Sequence, residues 1–171
     1  MRFYLQFLSL SFVAVFLCSS FAFAQAPALL KTSKNWSSYH FQENGKAVCY
    51  MVSKPLTDEG NYTRRGEIFA LVTHRPSERS KNVFSYITGY TYKPGSDVRV
   101  TIDGQTFLLF TQDDTAWAPD AETDQRIAAA IRSGSKMVVK GTSSRGTVTT
   151  DTFSLSGSSA AHGLISKKCG Y

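Results

Sequence analysis

The chain has 171 residues, with 19 lysines and arginines against 13 acids for a formal net charge of +6 at pH 7, and 42% of its residues are hydrophobic. That length accommodates one domain with a real core and excludes two comfortable ones. The basic excess is moderate and not gathered into a tail, so it fits ordinary solubility or an acidic partner such as anionic lipid or another polyanionic surface.

Residues 1–24 read as a cleavable export signal. Arg2 supplies a positive start, Leu5 to Leu17 an apolar run too short to span a bilayer comfortably, and Ala22-Phe23-Ala24 a cleavage site before Gln25. A lipid-anchoring signal needs a small residue before Cys18, where Leu17 stands, and no later segment is apolar enough to cross a membrane. The expected destination is the periplasm, the outer membrane surface or the medium. Loss of the signal removes Cys18 and leaves Cys49 and Cys169, an even count suited to an oxidising compartment. A bridge between them is expected, closing a loop of about 120 residues and contributing roughly 2–4 kcal/mol, with two free buried thiols as the alternative.

Residues 25–35 are small, polar and loosely patterned, and are expected to form a flexible leader. The domain, residues 36–171, begins with strands over Trp36–Phe41 and Ala47–Val52, joined at Asn44-Gly45, where a tight hairpin needs positive φ at both central positions. Ser53–Gly66 reads as a loop, followed by an apolar strand over Glu67–Thr73. Val83–Tyr92 is a further strand, rich in aromatic and β-branched residues.

Val98, Val100 and Ile102 alternate with polar residues, Asp103-Gly104 turns the chain, and Thr106–Phe110 returns. A two-residue turn pairs Ile102 with Gln105 and Val100 with Phe107, and places Val98, Val100, Phe107 and Leu109 on one face. Leu108 and Phe110 then point to the other face, which implies a sheet covered on both sides there. Pro119-Asp120 opens a short helix with Ile127, Ala130 and Ile131 as its buried stripe and Gly134 as its stop. Strands over Lys136–Thr142 and Thr147–Leu155 follow, joined at Ser143–Gly146. The tail from Ser158 forms a second small helix whose inner stripe includes Ala161, Leu164, Ile165 and Cys169. About eight short strands with two short helices argue for an antiparallel β-sandwich.

Motifs for chemistry are sparse. His40, His74 and His162 are isolated in sequence, without a second ligand at metal spacing, and no metal or cofactor is expected. Gly141 to Gly146 has the glycine spacing of a phosphate loop, but Thr147 stands where that motif needs lysine, and the context is strand to strand. None of Ser143, Ser144, Ser156, Ser158 and Ser159 lies in a nucleophile elbow. Asp113, Asp114, Asp120, Glu122 and Asp124 lack the alternation of a calcium loop, and Trp117 is expected in a loop, as a lid over the core. The more informative group is basic: Arg64, Arg65, Arg75, Arg79 and Lys81 bracket the buried strand, an arrangement that makes either an ordinary solvated face or a patch recognising carboxylate or phosphate. Nucleic acid is a poor candidate, given the compartment and the absence of a stacking motif.

The phrases RRGEIFALVTHRPSE from Arg64, SYITGYTYKPGS from Ser85, DTAWAPDAETD from Asp114 and MVVKGTSSRGTVTTDTFSLSG from Met137 resemble the invasion associated locus B family of alphaproteobacterial exported proteins. The likeness runs from about Trp36 to Cys169. It implies a mainly β, immunoglobulin-like antiparallel β-sandwich, a secreted or envelope-associated location, and a family named for association with host-cell entry in pathogens. No catalytic set belongs to the family, so none is carried over. Some relatives have an additional early cysteine; Ser37, Ser38 and Tyr39 occupy that neighbourhood here, which favours Cys49 with Cys169.

The expected function is a non-catalytic interaction protein of the envelope, binding an unknown protein or an anionic envelope or host-surface partner through Arg64, Arg65, Arg75 and Arg145. A hydrolase with a site assembled in space, and a structural or chaperone-like periplasmic protein, are the alternatives.

Overall fold

Turn chemistry and alternation act first. Asn44 and Gly45 both take positive φ, and the hairpin they close pairs β2 (Trp36–Glu43) with β3 (Lys46–Ser53) in the computed structural model, which describes residues 26–171. The expected export signal lies outside these residues. Before the hairpin, Ala28–Ser33 forms β1, an edge strand paired antiparallel with β2. The leader expected to be flexible over residues 25–35 is therefore ordered strand for much of its length. Its backbone hydrogen bonds to β2 supply what its exposed side chains could not signal.

The segment expected as one loop after β3 contains a second edge strand, β4 (Thr57–Gly60), hydrogen-bonded far along the chain. β5 (Phe69–Arg75) then pairs with β3 and with β6 (Ser80–Ile87), which stops short of the expected Tyr92 where Gly89 takes positive φ. β7 (Val98–Ile102) and β8 (Gln105–Gln112) form the expected hairpin in the expected register, Ile102 opposite Gln105 and Val100 opposite Phe107. Trp117, expected in a loop, lies instead in the short strand β9 (Thr115–Trp117), between β6 and the end of β8. β10 (Lys136–Thr142) and β11 (Val148–Ser154) complete the sheet.

The hydrogen-bonded order is β1-β2-β3-β5-β6-β9-β8-β7-β10-β11-β4, eleven strands among the described residues rather than about eight. β8 joins the two layers, pairing with β7 over its first five residues and with β9 over its last three. The fold is the mainly β antiparallel sandwich expected, its immunoglobulin-like layering built from one sheet turned back on itself. Tyr86 of β6 meets Phe153 of β11 edge to face across the interior, and the Trp36 indole N–H donates to the Ser154 carbonyl at 3.1 Å. Val98, Val100, Phe107 and Leu109 are buried together, as their alternation requires. Leu108 and Phe110 are 50% and 47% exposed, so the second face of β8 is uncovered, against expectation. Their alternation was right; what lies beyond the sheet depends on elements placed far away in sequence.

The two helices cover the rest of the inner face. In α1 (Ala121–Ser133) the Asp120 carboxylate caps the first turn by accepting from the Thr123 N–H at 2.7 Å, and Ile127, Ala128 and Ile131 are buried. α2 (Ser158–Cys169) packs against β2 and β3, with Ala161, Ile165 and Cys169 inward and Leu164 only partly buried. Cys169 is bonded to Cys49, their Cα atoms 6.1 Å apart across 120 residues. This is the expected pairing. No helix among the described residues is long and apolar enough to cross a membrane.

Candidate functional site

Three chain segments converge at one end of the sandwich. The run after β4 is tied to the run after β6 by a hydrogen bond from the Gly66 N–H to the Gly89 carbonyl at 2.9 Å. The contact tolerates no side chain: a Cβ on Gly89, whose φ is +74°, would lie 2.5 Å from the Gly66 oxygen. The β10–β11 turn joins them through the Ser144 N–H donating to the Thr91 carbonyl at 2.8 Å and the Lys93 N–H to the Thr142 carbonyl at 3.0 Å. Between the three runs lies a cleft of about 610 Å³, lined from one side by Asn61 to Arg65, from another by Tyr90 and Thr91, and from the third by residues of the turn, including Ser144 and Arg145. That volume is within the range of about 300–1,000 Å³ usual for ligand sites.

Arg65 forms the floor. Its side chain is 3% exposed and its guanidinium grips the Asp151 carboxylate, 1% exposed, through two bonds of 2.6 and 2.7 Å. The remaining donors reach the Thr88 carbonyl at 2.8 Å, the Thr88 hydroxyl at 2.9 Å and the Tyr86 hydroxyl at 3.2 Å, while Tyr86 itself donates to Asp151. The rings of Tyr62 and Tyr90 stand against the guanidinium at 5.6 and 5.0 Å. Burial opposes the arginine's charge, but the bond to Asp151 outweighs it and holds the pKa above the ordinary arginine value. Burial, then the Asp151 charge, pushes the Tyr86 phenol well above its ordinary value. With all three guanidinium nitrogens bonded within the fold and its side chain 3% exposed, Arg65 fastens the loop to both layers rather than presenting a free charge to the cleft. Its expected place in an exposed basic patch is corrected accordingly. A sequence signal for this existed: Asp151 sits between Thr149 and Phe153 at an inward position of β11, and a carboxylate buried there stays charged only if a cation or several donors meet it.

Arg64 and Arg145 behave oppositely. Both are exposed on the cleft, and among the described residues neither enters a salt bridge or a side-chain hydrogen bond. No carboxylate lines the cleft. Arg75, also expected in the patch, is at the far end of β5, ion-paired with Glu43, and takes no part in the cleft. Of the four arginines proposed from sequence, the fold brings together Arg64, Arg65 and Arg145, and leaves two of them free.

The family model for the invasion associated locus B (IalB) protein matches residues 36–166. The chain belongs to this family. No curated protein and no solved structure matches it. The matched span includes every residue lining the cleft and ends within α2, before Cys169.

Elsewhere in this IalB-family chain, the sandwich assembles a polar cluster that no local pattern announced. His74 and His162, isolated in sequence, stand with ring centroids 5.3 Å apart. The Asn82 backbone N–H donates to His74 Nδ1 at 3.0 Å, so the neutral ring carries its proton on Nε2 and donates to the Ser166 hydroxyl at 3.1 Å. Ser166 in turn donates to His162 Nδ1 at 3.3 Å, and His162 Nε2 donates to the Asn82 side-chain carbonyl at 2.7 Å. Burial lowers the pKa of both histidines, with nearby cations adding to it, that of His162 to about 4. Of the acidic cluster, Asp124 is buried in α1 and accepts from the Phe84 N–H at 2.8 Å; burial raises its pKa to about 6. No group of three or more metal-ligating side chains is gathered among the described residues.

Proposed function

We propose that this IalB-family protein is an exported, non-catalytic interaction module of the bacterial envelope, and that the cleft carrying Arg64 and Arg145 is where it meets an anionic partner. The observation that carries this reading is the division of labour among the arginines. Arg65 is consumed by the fold, while Arg64 and Arg145 are exposed beside it with no counter-ion among the described residues. A guanidinium without a partner in a cleft free of carboxylates is suited to meet one from outside. Export is supported by the signal-like first 24 residues and by the Cys49–Cys169 bridge, which belongs in an oxidising compartment such as the periplasm or the cell exterior. The test is crosslinking in intact cells with identification of what is captured, comparing wild type with Arg64→Glu/Arg145→Glu and fractionating the cells in parallel. Capture should fall while the variant remains folded; undiminished capture sinks the site.

A hydrolase reading has one observation in its favour, the chain from Ser166 through His162 to Asn82. Against it, a histidine with a pKa near 4 is a weak general base at neutral pH, and neither Ser166 nor His162 lines the cleft described above. Hydrolysis of a chromogenic ester by the wild type that disappears in Ser166→Ala would favour the enzyme.

A further inference from the structure

We propose that the ligand of the cleft is an acidic carbohydrate, a run of sugar rings bearing carboxylates; this rests on the cleft being the binding site. Besides its two free guanidiniums, the cleft presents the side chains of Asn61, Thr63, Thr91 and Ser144, none of which makes a side-chain hydrogen bond within the described residues. Hydroxyls and an amide left unused by the fold can both donate and accept, and this is the complement of a ring carrying several hydroxyls. Tyr62 and Tyr90 line the same cleft, held by hydrogen bonds to the Asp58 carbonyl at 3.2 Å and to the Thr149 hydroxyl at 2.7 Å. A fixed aromatic surface suits the C–H face of a sugar and costs little ordering on binding. Arg64 and Arg145 then select for the carboxylate, which a guanidinium fork can grip with two bonds.

Other anions fit less well. An acyl chain needs apolar surface, yet none of the large exposed hydrophobic residues lines the cleft, not even Leu56 or Val148, the most exposed of them. An acidic peptide would add to an open sheet edge, and the edge leading into the cleft is β4, which presents Asp58 and Glu59. Like charges there oppose it.

The test is calorimetric titration of the disulfide-bonded protein with a short oligogalacturonate, its neutral methyl ester, an oligoglutamate, and vesicles of phosphatidylglycerol. Binding of the oligogalacturonate, at least tenfold weaker for the methyl ester and for Arg64→Gln/Arg145→Gln, is the expected result. Asn61→Ala/Ser144→Ala should also weaken it severalfold, which a purely electrostatic contact would not. If oligoglutamate or the vesicles bind through the same arginines and the sugar acid does not, the carbohydrate assignment is overturned and the anionic-partner reading stands. If no anion binds, both fall.

Discussion

Arg65 and Asp151, 86 residues apart in sequence, meet as a bidentate ion pair beneath the cleft, while Arg64, next to Arg65, is left in solvent. The pair joins the loop after β4 to the inner face of β11, so it couples the shape of the candidate site to the stability of the sandwich.

Removing one partner of such a pair leaves a buried charge without compensation. Asp151→Asn should cost about 3–5 kcal/mol, read as a lower urea midpoint, whereas Arg64→Ala should change stability by no more than about 0.5 kcal/mol. Equal effects at the two positions would show that Arg65 is not buried as described.

The bridge between Cys49 and Cys169 closes a loop of 120 residues and holds the end of α2 against β3. Replacing both cysteines by serine should lower stability by about 2–5 kcal/mol. Mass measurement under non-reducing conditions should find no free thiol in the mature wild type.

The buried histidines make stability depend on pH. A neutral histidine whose folded pKa is below its ordinary 6.5 contributes stability in full above pH 6.5, and this is lost as the pH falls towards the folded value, about 4 for His162. Asp124 acts in the opposite sense: its pKa is raised from 3.8 to about 6, so its contribution is complete below pH 3.8 and disappears as the pH rises through 6. Lys81 faces His74 and Arg132 faces His162, adding to the cost of protonating either. Between pH 6.5 and 4, His162→Gln should therefore lose less stability than wild type, and Asp124→Asn, which removes the opposing group, should lose more. Thermal unfolding across that range reads both slopes.

The Tyr92 hydroxyl is buried with no hydrogen-bond partner among the described residues. Tyr92→Phe should be neutral or raise stability by up to about 1 kcal/mol, since an unsatisfied hydroxyl is removed from the interior. A loss larger than about 1 kcal/mol would mean that the hydroxyl is bonded after all.

Much of the fold was legible in the residues. The β7–β8 register followed from Asp103-Gly104 and the alternation around it, α1 from Asp120 and its apolar stripe, and the Cys49–Cys169 pairing from cysteine count and helical spacing in α2. Two short strands were missed for an identifiable reason. β4 reads Thr-Asp-Glu-Gly, exposed and without apolar alternation, and exists because β11 offers it a free edge; β9 has three residues and is held between β6 and β8. β1 was concealed in the same way, its pairing to β2 invisible in its own side chains. The candidate site was half legible. Arg64 and Arg145 were named from charge alone, but nothing local distinguished Arg64 from Arg65, and Arg75 was included although its strand carries it away to Glu43.

By itself, then, the sequence determined what depends on neighbours a few residues apart: which segments alternate, where the chain can turn, where a helix is capped and stopped, and which side chains share a face. Only the tertiary structure decided which arginine is buried and which are free, that His74 and His162 share one hydrogen-bonded chain, and that Leu108 and Phe110 remain in water. Periodicity fixes the direction in which a side chain leaves the backbone. What it meets there is set by segments tens of residues away, and the energy of burying or pairing a charge depends on that meeting alone.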